Sequence, residues 1–410
     1  MTVRVEDDLL GPEAVADPAG YYGAQRERAP VAWNERYRSW VVTSHEHCAT
    51  ALRDDAFSSD RITPFLETRL AHPDVAPPIR ETFTLLNGWM VFKDPPEHTR
   101  LRSLVNRAFT PRTVEKMRDR VERLCDDLLD QVVDRGEADL LTDLAYPLPA
   151  IIIAEMLGVP AGDRDRFKRW SDQISALVFG GMEDPDRYER ASLGMLELAD
   201  YLRWLLARYE EAPEDNLISA LLDAREQDDA LSEEEIVATC ILLLFGGHET
   251  TTNLIANGVL ALLRDPTAGA AVREGRAAPR VAIEELLRFD GPAKSVARIV
   301  GTSTELGGQR LEAGARVFLM LASANRDPAV FDRPEELVLD RNPNPHLGFG
   351  VGIHYCLGAP LARLEAGIAI PRVLQRLEDL QVRDEQALAW TPVMLTRGLA
   401  ALPVIFRAQT

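Results

Sequence analysis

The stretch HLGFGVGIHYCLG, residues 346–358, decides the fold of this 410-residue chain. Its repeated glycines let the backbone approach a flat partner closely, because glycine adopts conformations that other residues cannot. Cys356 lies near its end, just before an Ala- and Leu-rich segment that we predict to be a helix. The first-turn N–H groups of that helix and the positive end of its dipole favour a thiolate over a thiol. A thiolate in such a loop suits a haem iron, where it promotes O–O cleavage.

Simpler interpretations of the same residues have to be weighed. A lone cysteine is most often a small buried hydrophobe. A zinc site needs further Cys or His ligands at short spacing, and the chain contains no Cys-x-x-Cys. A dinucleotide loop needs a third glycine three positions after Gly352, where Tyr355 stands. The whole pattern Phe-Gly-x-Gly-x-His-x-Cys-x-Gly is more specific than its parts. It resembles the haem-binding loop of the cytochrome P450 family.

The resemblance implies a set of haem-binding residues, with haem b as the cofactor and Cys356 as the metal ligand. Their order along the chain is that of the family: His98, Arg102, Gly246, Arg298, Phe349, Gly350, His354, Cys356 and Gly358. His98 and Arg102 are four residues apart, hence on one helical face, and the planar fork of arginine suits a haem propionate. Without the cysteine loop, a solvated charged face would be the more common interpretation of that pair. Arg298 and His354 match further propionate contacts.

A long buried helix is predicted from residue 232 onward. Ser232 and Glu235 form a capping box, and residues 241–245 are apolar on every side of the helix. Asp265-Pro266 ends it, which gives a length of about 45 Å.

The centre of this helix has the sequence GGHETTT, residues 246–252. Glycine and threonine have low helix propensity, so this sequence is unusual for the middle of a buried helix. The Thr250 hydroxyl can compete for the carbonyl of Gly246, loosen the turn and leave room for a small ligand. The residues match the family's acid–alcohol pair, with Glu249 as acid and Thr250 as alcohol. The implied catalytic role is to relay protons to dioxygen. The alternative is a packing kink with threonine back-bonding.

Glu285, Arg288 and Arg341 match the family's Glu-Arg-Arg constellation. Glu-x-x-Arg alone carries little weight, because the spacing recurs elsewhere in the chain. A buried ionic triad fixes geometry without necessarily stabilising. We expect structural support behind the haem and no catalytic role.

Several other segments carry expectations. We predict short strands at 31–33 and 39–42 and a helix capped by Ser44. We also predict two lid helices within 163–209 with a break at 179–185, and hairpins within 302–322 and 390–405. Residues 61–90 are expected to be an irregular loop that roofs the pocket. Pro371 should kink or break the helix that follows the cysteine loop. For Lys294, between Pro292 and Arg298, we favour a side chain pointing to solvent; the alternative is that it meets an acidic substrate group.

Composition limits the class of protein. The net charge of −19 argues against nucleic acid and anionic membranes as partners. The four scattered cysteines suggest a reducing compartment, the N-terminus has no signal-peptide pattern, and no long apolar run predicts a membrane span. We therefore expect a soluble, cytoplasmic monomer. No linker or repeat divides the chain, so we predict one haem-thiolate monooxygenase domain spanning 1–410.

The resemblance implies a mainly α fold with small β-sheets and the hydroxylation or epoxidation of a small organic substrate, such as a secondary metabolite, by O2 and two electrons. No nucleotide fingerprint appears, so we expect a separate ferredoxin or flavodoxin as electron donor. Such donors are acidic, and Arg107, Arg112, Lys116 and Arg363 are candidates for a basic docking patch. The alternatives are a peroxide-dependent or oxidative-coupling enzyme on the same scaffold, and a non-catalytic haem-binding sensor. The substrate itself stays open.

Overall fold

A computed structural model describes residues 2–68, 70–179, 185–225 and 231–408. Its helices are α1 (Pro12–Ala16), α2 (Pro18–Arg28), α3 (His45–Ala51), α4 (Thr63–Thr68), α5 (Pro77–Asn87), α6 (Glu97–Ala108), α7 (Pro111–Glu115), α8 (Arg118–Asp130), α9 (Pro147–Leu157), α10 (Arg164–Val178), α11 (Arg187–Glu211), α12 (Leu217–Arg225), α13 (Glu233–Arg264), α14 (Pro266–Arg273), α15 (Pro279–Asp290), α16 (Leu321–Ala324) and α17 (Ala359–Arg376). Its strands are β1 (Arg4–Val5), β2 (Val31–Asn34), β3 (Ser39–Val42), β4 (Phe57–Ser58), β5 (Glu137–Asp139), β6 (Val296–Val300), β7 (Thr304–Leu306), β8 (Gln309–Leu311), β9 (Arg316–Leu319), β10 (Gln381–Val382) and β11 (Pro403–Ile405). The predicted mainly α fold with small sheets is confirmed.

The chain divides into two compact units, each described by itself. The first comprises Met1–Phe57, Glu115–Pro149 and Glu249–Thr410, and the second comprises Ser58–Val114 and Ala150–His248. Among the described residues, no helix is both long and apolar enough to span a bilayer.

The larger sheet has the strand order β1-β2-β3-β9-β6-β4. Successive residues of β3 and β9 enter different apolar clusters, as the two-residue period of a strand requires. Val42 and Leu319 pack on one face of the sheet, whereas Val41 and Phe318 pack on the other. This sheet is therefore buried on both faces, and it carries β6, the strand of Arg298.

The predicted strands at 31–33 and 39–42 are confirmed as the antiparallel pair β2 and β3. Ser44 caps α3, and its hydroxyl accepts a hydrogen bond from the backbone N–H of His47. Gly307 and Gly308 turn β7 into β8 with positive φ at both positions, a conformation that glycine adopts readily.

The terminal hairpin is only partly as predicted. A bridge between Trp390 and Leu399 closes a loop with Met394 and Leu395 at its tip, but β11 pairs with β5 and β10 instead.

Two helical expectations need correction. Residues 61–90 contain α4 and α5, because Pro77 begins α5 and its apolar residues Phe83, Leu85 and Leu86 form a buried stripe. Pro371 lies inside α17 without ending it. The helix forgoes one backbone hydrogen bond there, and the burial of neighbouring residues such as Ile370 and Val373 offsets that loss.

The two helices predicted within 163–209 are α10 and α11 of the second unit. Phe167 and Trp170 of α10 pack edge-on, with ring centroids 5.2 Å apart, and both contact Tyr201 of α11. The predicted break at 179–185 lies mostly outside the described residues.

The long helix α13 is as predicted at both ends. The Ser232 N–H donates to the Glu235 carboxylate (2.8 Å), and the Glu235 N–H donates to the Ser232 hydroxyl (3.2 Å), which is a complete capping box. The helix contains 32 residues and ends before Asp265, whose carboxylate caps α14.

Candidate active site

The loop that carries Cys356 is a tight turn shaped by glycine. Gly350 and Gly352 have φ of 70° and 81°, values that other residues rarely adopt. A Cβ at position 352 would also lie 2.9 Å from the carbonyl oxygen of Leu52. The Cys356 N–H donates to the Phe349 carbonyl over 2.9 Å, which closes the loop just before α17.

Cys356 differs from the other cysteines in its exposure. Cys48, Cys125 and Cys240 are buried, and burial raises the pKa of the Cys125 and Cys240 thiols to about 12. Such thiols are poor ligands and nucleophiles, because the thiolate is the reactive form. Cys356 is exposed at the entrance of α17. The fold therefore presents this one sulfur to a ligand.

An ion-pair network braces the same loop. Burial of Glu284 opposes its ionisation, but hydrogen bonds from Arg363 and His346 outweigh that effect and lower the pKa of Glu284 to about 2. Arg363 donates to Glu284 through Nε (2.5 Å) and Nη2 (2.9 Å). It also donates to the Tyr355 hydroxyl over 3.2 Å and lies 4.5 Å from the ring centroid of Phe349. Sequence reasoning missed Glu284 and His346 and treated Arg363 as a free surface cation.

The residues Glu285, Arg288 and Arg341 form a closed ionic triad. Arg288 donates to the two carboxylate oxygens of Glu285, each over 2.8 Å, and Arg341 donates to the same group over 3.0 Å. Glu285 and Arg288 have fully buried side chains. Arg288 also donates to three carbonyls that follow α16, so it ties α15 to the segment leading to the cysteine loop.

Breaking this triad should destabilise the protein strongly. We expect Glu285→Gln to lower the free energy of unfolding by about 3–5 kcal/mol, because it leaves the charge of Arg288 buried and uncompensated. Urea unfolding followed by circular dichroism measures the change. The matched control is Glu385→Gln, which breaks a half-exposed pair with Arg264 and should cost about 0–1 kcal/mol. Equal effects of the two substitutions would contradict the prediction.

Arg298 provides a buried cation in the first unit. Its side chain lies on β6 with 7% exposure, and its Nη1 donates to the carbonyl of Ala297 over 3.0 Å. The planar fork of a guanidinium is suited to bind a carboxylate.

The centre of α13 is more accessible than the helical turns on either side of it. Gly246 is exposed, and Glu249 and Thr250 are partly exposed, whereas most residues of the adjoining turns are buried. A Cβ at Gly246 would meet no atom closer than 3.9 Å. This turn is therefore accessible, and a carboxylate and a hydroxyl follow Gly246 along the helix.

Three predicted site residues, His98, Arg102 and Gly246, belong to the second unit. His98 is 2% exposed on α6, and burial followed by the charge of Arg102 lowers its pKa, which favours the neutral imidazole. Gly246 is followed by His248, whose Nε2 bonds the Ser171 hydroxyl and whose Nδ1 bonds the Leu244 carbonyl, both over 2.8 Å. The remaining predicted site residues belong to the first unit.

The expected solvent-exposed position of the Lys294 side chain is wrong. Its side chain does not point to solvent, because the residue is only 2% exposed. The backbone of the preceding Ala293 bridges to Thr396, and the Lys294 N–H donates to the Leu395 carbonyl over 3.0 Å, so the terminal loop covers this segment.

Glu365 is a buried acid that sequence reasoning missed. It lies on α17, it is fully buried, and neither carboxyl oxygen has a hydrogen-bond partner among the residues that the structure describes. Burial raises its pKa well above the ordinary value, which favours the protonated form of the carboxyl group. Its position between the apolar residues Leu364 and Ala366 could have indicated from the sequence that Glu365 is buried.

Comparison with known proteins places the chain in a family. The family model described as Cytochrome P450 matches residues 33–276 and 280–395. The chain belongs to the cytochrome P450 family. Cytochrome P450 CYP107DY1 of Priestia megaterium is 38% identical over 98% of each chain. The polyketide biosynthesis cytochrome P450 PksS of Bacillus subtilis is 35% identical over 96% of this chain and 97% of its own. The crystal structure of CalO2 matches with a TM-score of 0.90 at 32% identity over 100% of both chains.

This cytochrome P450 is a monooxygenase, and its cofactor is haem, iron protoporphyrin IX. The donor set of the first unit fits that group. An exposed cysteine sulfur at the start of a helix suits the iron, and the buried guanidinium of Arg298 suits a propionate. Gly350 has no side chain and adopts a positive φ, so a flat group can approach the backbone of the loop closely.

Proposed function

We propose that this cytochrome P450 inserts one oxygen atom from O2 into a small organic substrate, by hydroxylation or epoxidation, using two electrons from a separate ferredoxin or flavodoxin. The observation that carries the proposal is the accessible turn at the centre of α13, where Glu249 and Thr250 are less buried than the helical turns on either side. The relative that acts in polyketide biosynthesis supports a secondary metabolite as the substrate.

Haem bound to a cysteine thiolate supplies the oxygen activation and O–O cleavage. In this proposal the residues that hold it are Cys356 as the iron ligand, Phe349, Gly350 and Gly358 around the ligand, Gly246 on α13, and His98, Arg102, Arg298 and His354 at the propionates. Glu284 and Arg363 position the ligand loop through their contacts with each other and with Tyr355. Glu285, Arg288 and Arg341 hold the segment behind it.

Glu249 and Thr250 move protons in this proposal. The Glu249 carboxyl is partly exposed, so it can exchange protons with water, and it is adjacent in sequence to the Thr250 hydroxyl. A hydroxyl both accepts and donates, so Thr250 can pass a proton onward without a change of charge. A carboxyl donor followed by a hydroxyl can therefore deliver protons during oxygen activation.

Labelled dioxygen tests the proposed function. The haem-loaded enzyme, a ferredoxin, its reductase and a substrate found by screening for a ferric Soret shift should yield a product with one labelled oxygen atom. Product formed from peroxide alone, without reductant, would indicate a peroxide-dependent or coupling enzyme. No substrate-dependent consumption of reductant would indicate a sensor or carrier.

The electron donor is expected to dock on exposed basic residues. Arg107, Arg112 and Lys116 are exposed, whereas Arg363 is held by Glu284 and contributes less than predicted. Reversing the charges of Arg112 and Lys116 to Glu should slow electron transfer from an acidic ferredoxin by about tenfold or more at low salt, because steering is lost. Stopped-flow reduction measures the rate. Arg310→Glu, on an exposed hairpin, is the control, and an unchanged rate in the double variant would exclude these residues.

A further inference from the structure

Lys294 is anchored on both sides by its backbone. Its N–H donates to the Leu395 carbonyl (3.0 Å), and its own carbonyl accepts from the Ala322 N–H (3.1 Å). The next hydroxyl, that of Ser295, donates to the Met394 carbonyl over 2.7 Å. The side chain is thus fixed at its base and buried, two residues before β6 begins.

The charge of Lys294 is not balanced by the surrounding protein. Burial, followed by the nearby charge of Arg397, lowers its pKa to about 8, so the ammonium form still predominates at neutral pH. Arg397 has a partner of its own, because its Nε donates to the Asp290 carboxylate over 2.5 Å. Among the described residues, no hydrogen bond or ion pair is made by the Lys294 ammonium, and the one charge that acts on it is that of Arg397.

Other buried cations of the first unit have acceptors. Arg288 bonds Glu285, Arg326 bonds the Phe289 carbonyl over 2.6 Å, and Arg397 bonds Asp290 and two carbonyls near α1. Lys294 differs from these arginines in having none in the described chain. A buried charge without a partner is costly, so such a group marks a place where a partner arrives from outside.

We propose that Lys294 binds a carboxylate of the substrate, which makes the preferred substrate an organic acid. The inference rests on the proposed function, because it assumes that the substrate binds beside the Lys294 side chain. One ammonium neutralises one negative charge, which suits a carboxylate better than a phosphate dianion. The propionates of haem are a second source of carboxylates, and the test separates the two sources.

Matched acids and esters test the assignment on the haem-loaded enzyme. The probes are straight-chain, aromatic and steroidal carboxylic acids, each paired with its own methyl ester, and binding is measured by Soret shift and by calorimetry. In the natural enzyme, each acid that binds should bind about tenfold or more tightly than its ester. This ratio corresponds to the free energy of one hydrogen bond to a charged group. Lys294→Met, which replaces the side chain with an uncharged, unbranched one that is shorter by one atom, should abolish this preference, whereas Lys294→Arg should retain it.

The surface variant Arg310→Met is the matched control for loss of one positive charge, and its preference for acids should be unchanged. The preference should also decline as the pH rises through about 8, because the lysine loses its charge there. The esters should show no such decline.

Three results would overturn the proposal: no preference for acids in the natural enzyme, the same preference in Lys294→Met, or loss of haem from Lys294→Met in the absence of any acid. The last result would assign the carboxylate to a propionate. Failure of the proposed function is a different result, namely a preference for acids that depends on Lys294 in an enzyme that transfers no oxygen from O2.

Discussion

Replacement of Cys356 by Ser is expected to abolish monooxygenation and the thiolate-type spectrum of the reduced carbon monoxide complex. A serine hydroxyl is not ionised at neutral pH, and it cannot donate electron density to iron as a thiolate does. The loop should keep its shape, because the backbone bond from residue 356 to the Phe349 carbonyl does not involve the side chain. The measurements are the absorption spectrum of the reduced complex and the yield of oxygenated product.

The control for this experiment is Cys240→Ala, which removes a thiol that is fully buried in α13. It should alter stability slightly and leave the spectrum unchanged. A thiolate-type spectrum that survives in Cys356→Ser and disappears in Cys240→Ala would show that Cys240 is the iron ligand and that the prediction for Cys356 is wrong. Haem content has to be compared in both variants, so that a loss of cofactor is not mistaken for a change of ligand.

Replacement of Thr250 by Ala is expected to separate electron consumption from product formation. Without the hydroxyl, protons are no longer delivered at a defined position, so reduced oxygen is released as peroxide instead of being split. Because positioned proton transfer contributes a factor of 10² to 10⁴ in typical enzymes, the product yield per electron should fall on the order of a hundredfold. The measurements are reductant consumed, peroxide released and product formed in the same reaction.

The matched control is Thr252→Ala. The Thr252 hydroxyl is buried and has no hydrogen-bond partner among the described residues, so its removal should leave coupling intact. Glu249→Gln should slow turnover, because an amide does not supply the proton of a carboxyl group. Tightly coupled turnover in Thr250→Ala at the natural rate would refute the role of the hydroxyl.

Much of the fold and site could be predicted where the determining residues are close in sequence. The capping box of Ser232 and Glu235, the stop at Asp265 and the turn at Gly307-Gly308 all depend on neighbouring residues, and all are found in the structure. The open turn around Gly246 was predictable for the same reason, because a buried apolar helix contained polar and glycine residues at its centre.

The remaining features depend on partners that are distant in sequence. The apolar stripe of α5 was hidden by flanking prolines, and Pro371 lies in a helix whose packing tolerates it. The burial of Lys294 is determined by the tip of a loop about a hundred residues later, which no local pattern reveals. The same holds for the contact of Arg363 with Glu284, because the two residues are 79 positions apart in the sequence.

The bracing of the ligand loop has a consequence for assembly of the enzyme. The contacts of Arg363, Glu284, Tyr355 and His346 are made entirely by protein groups, so they hold the loop in shape before any cofactor is present. A loop already ordered loses little conformational freedom when it meets its ligand, and affinity is gained mainly by avoiding that loss. We therefore expect haem to bind with little rearrangement of the loop around the sulfur.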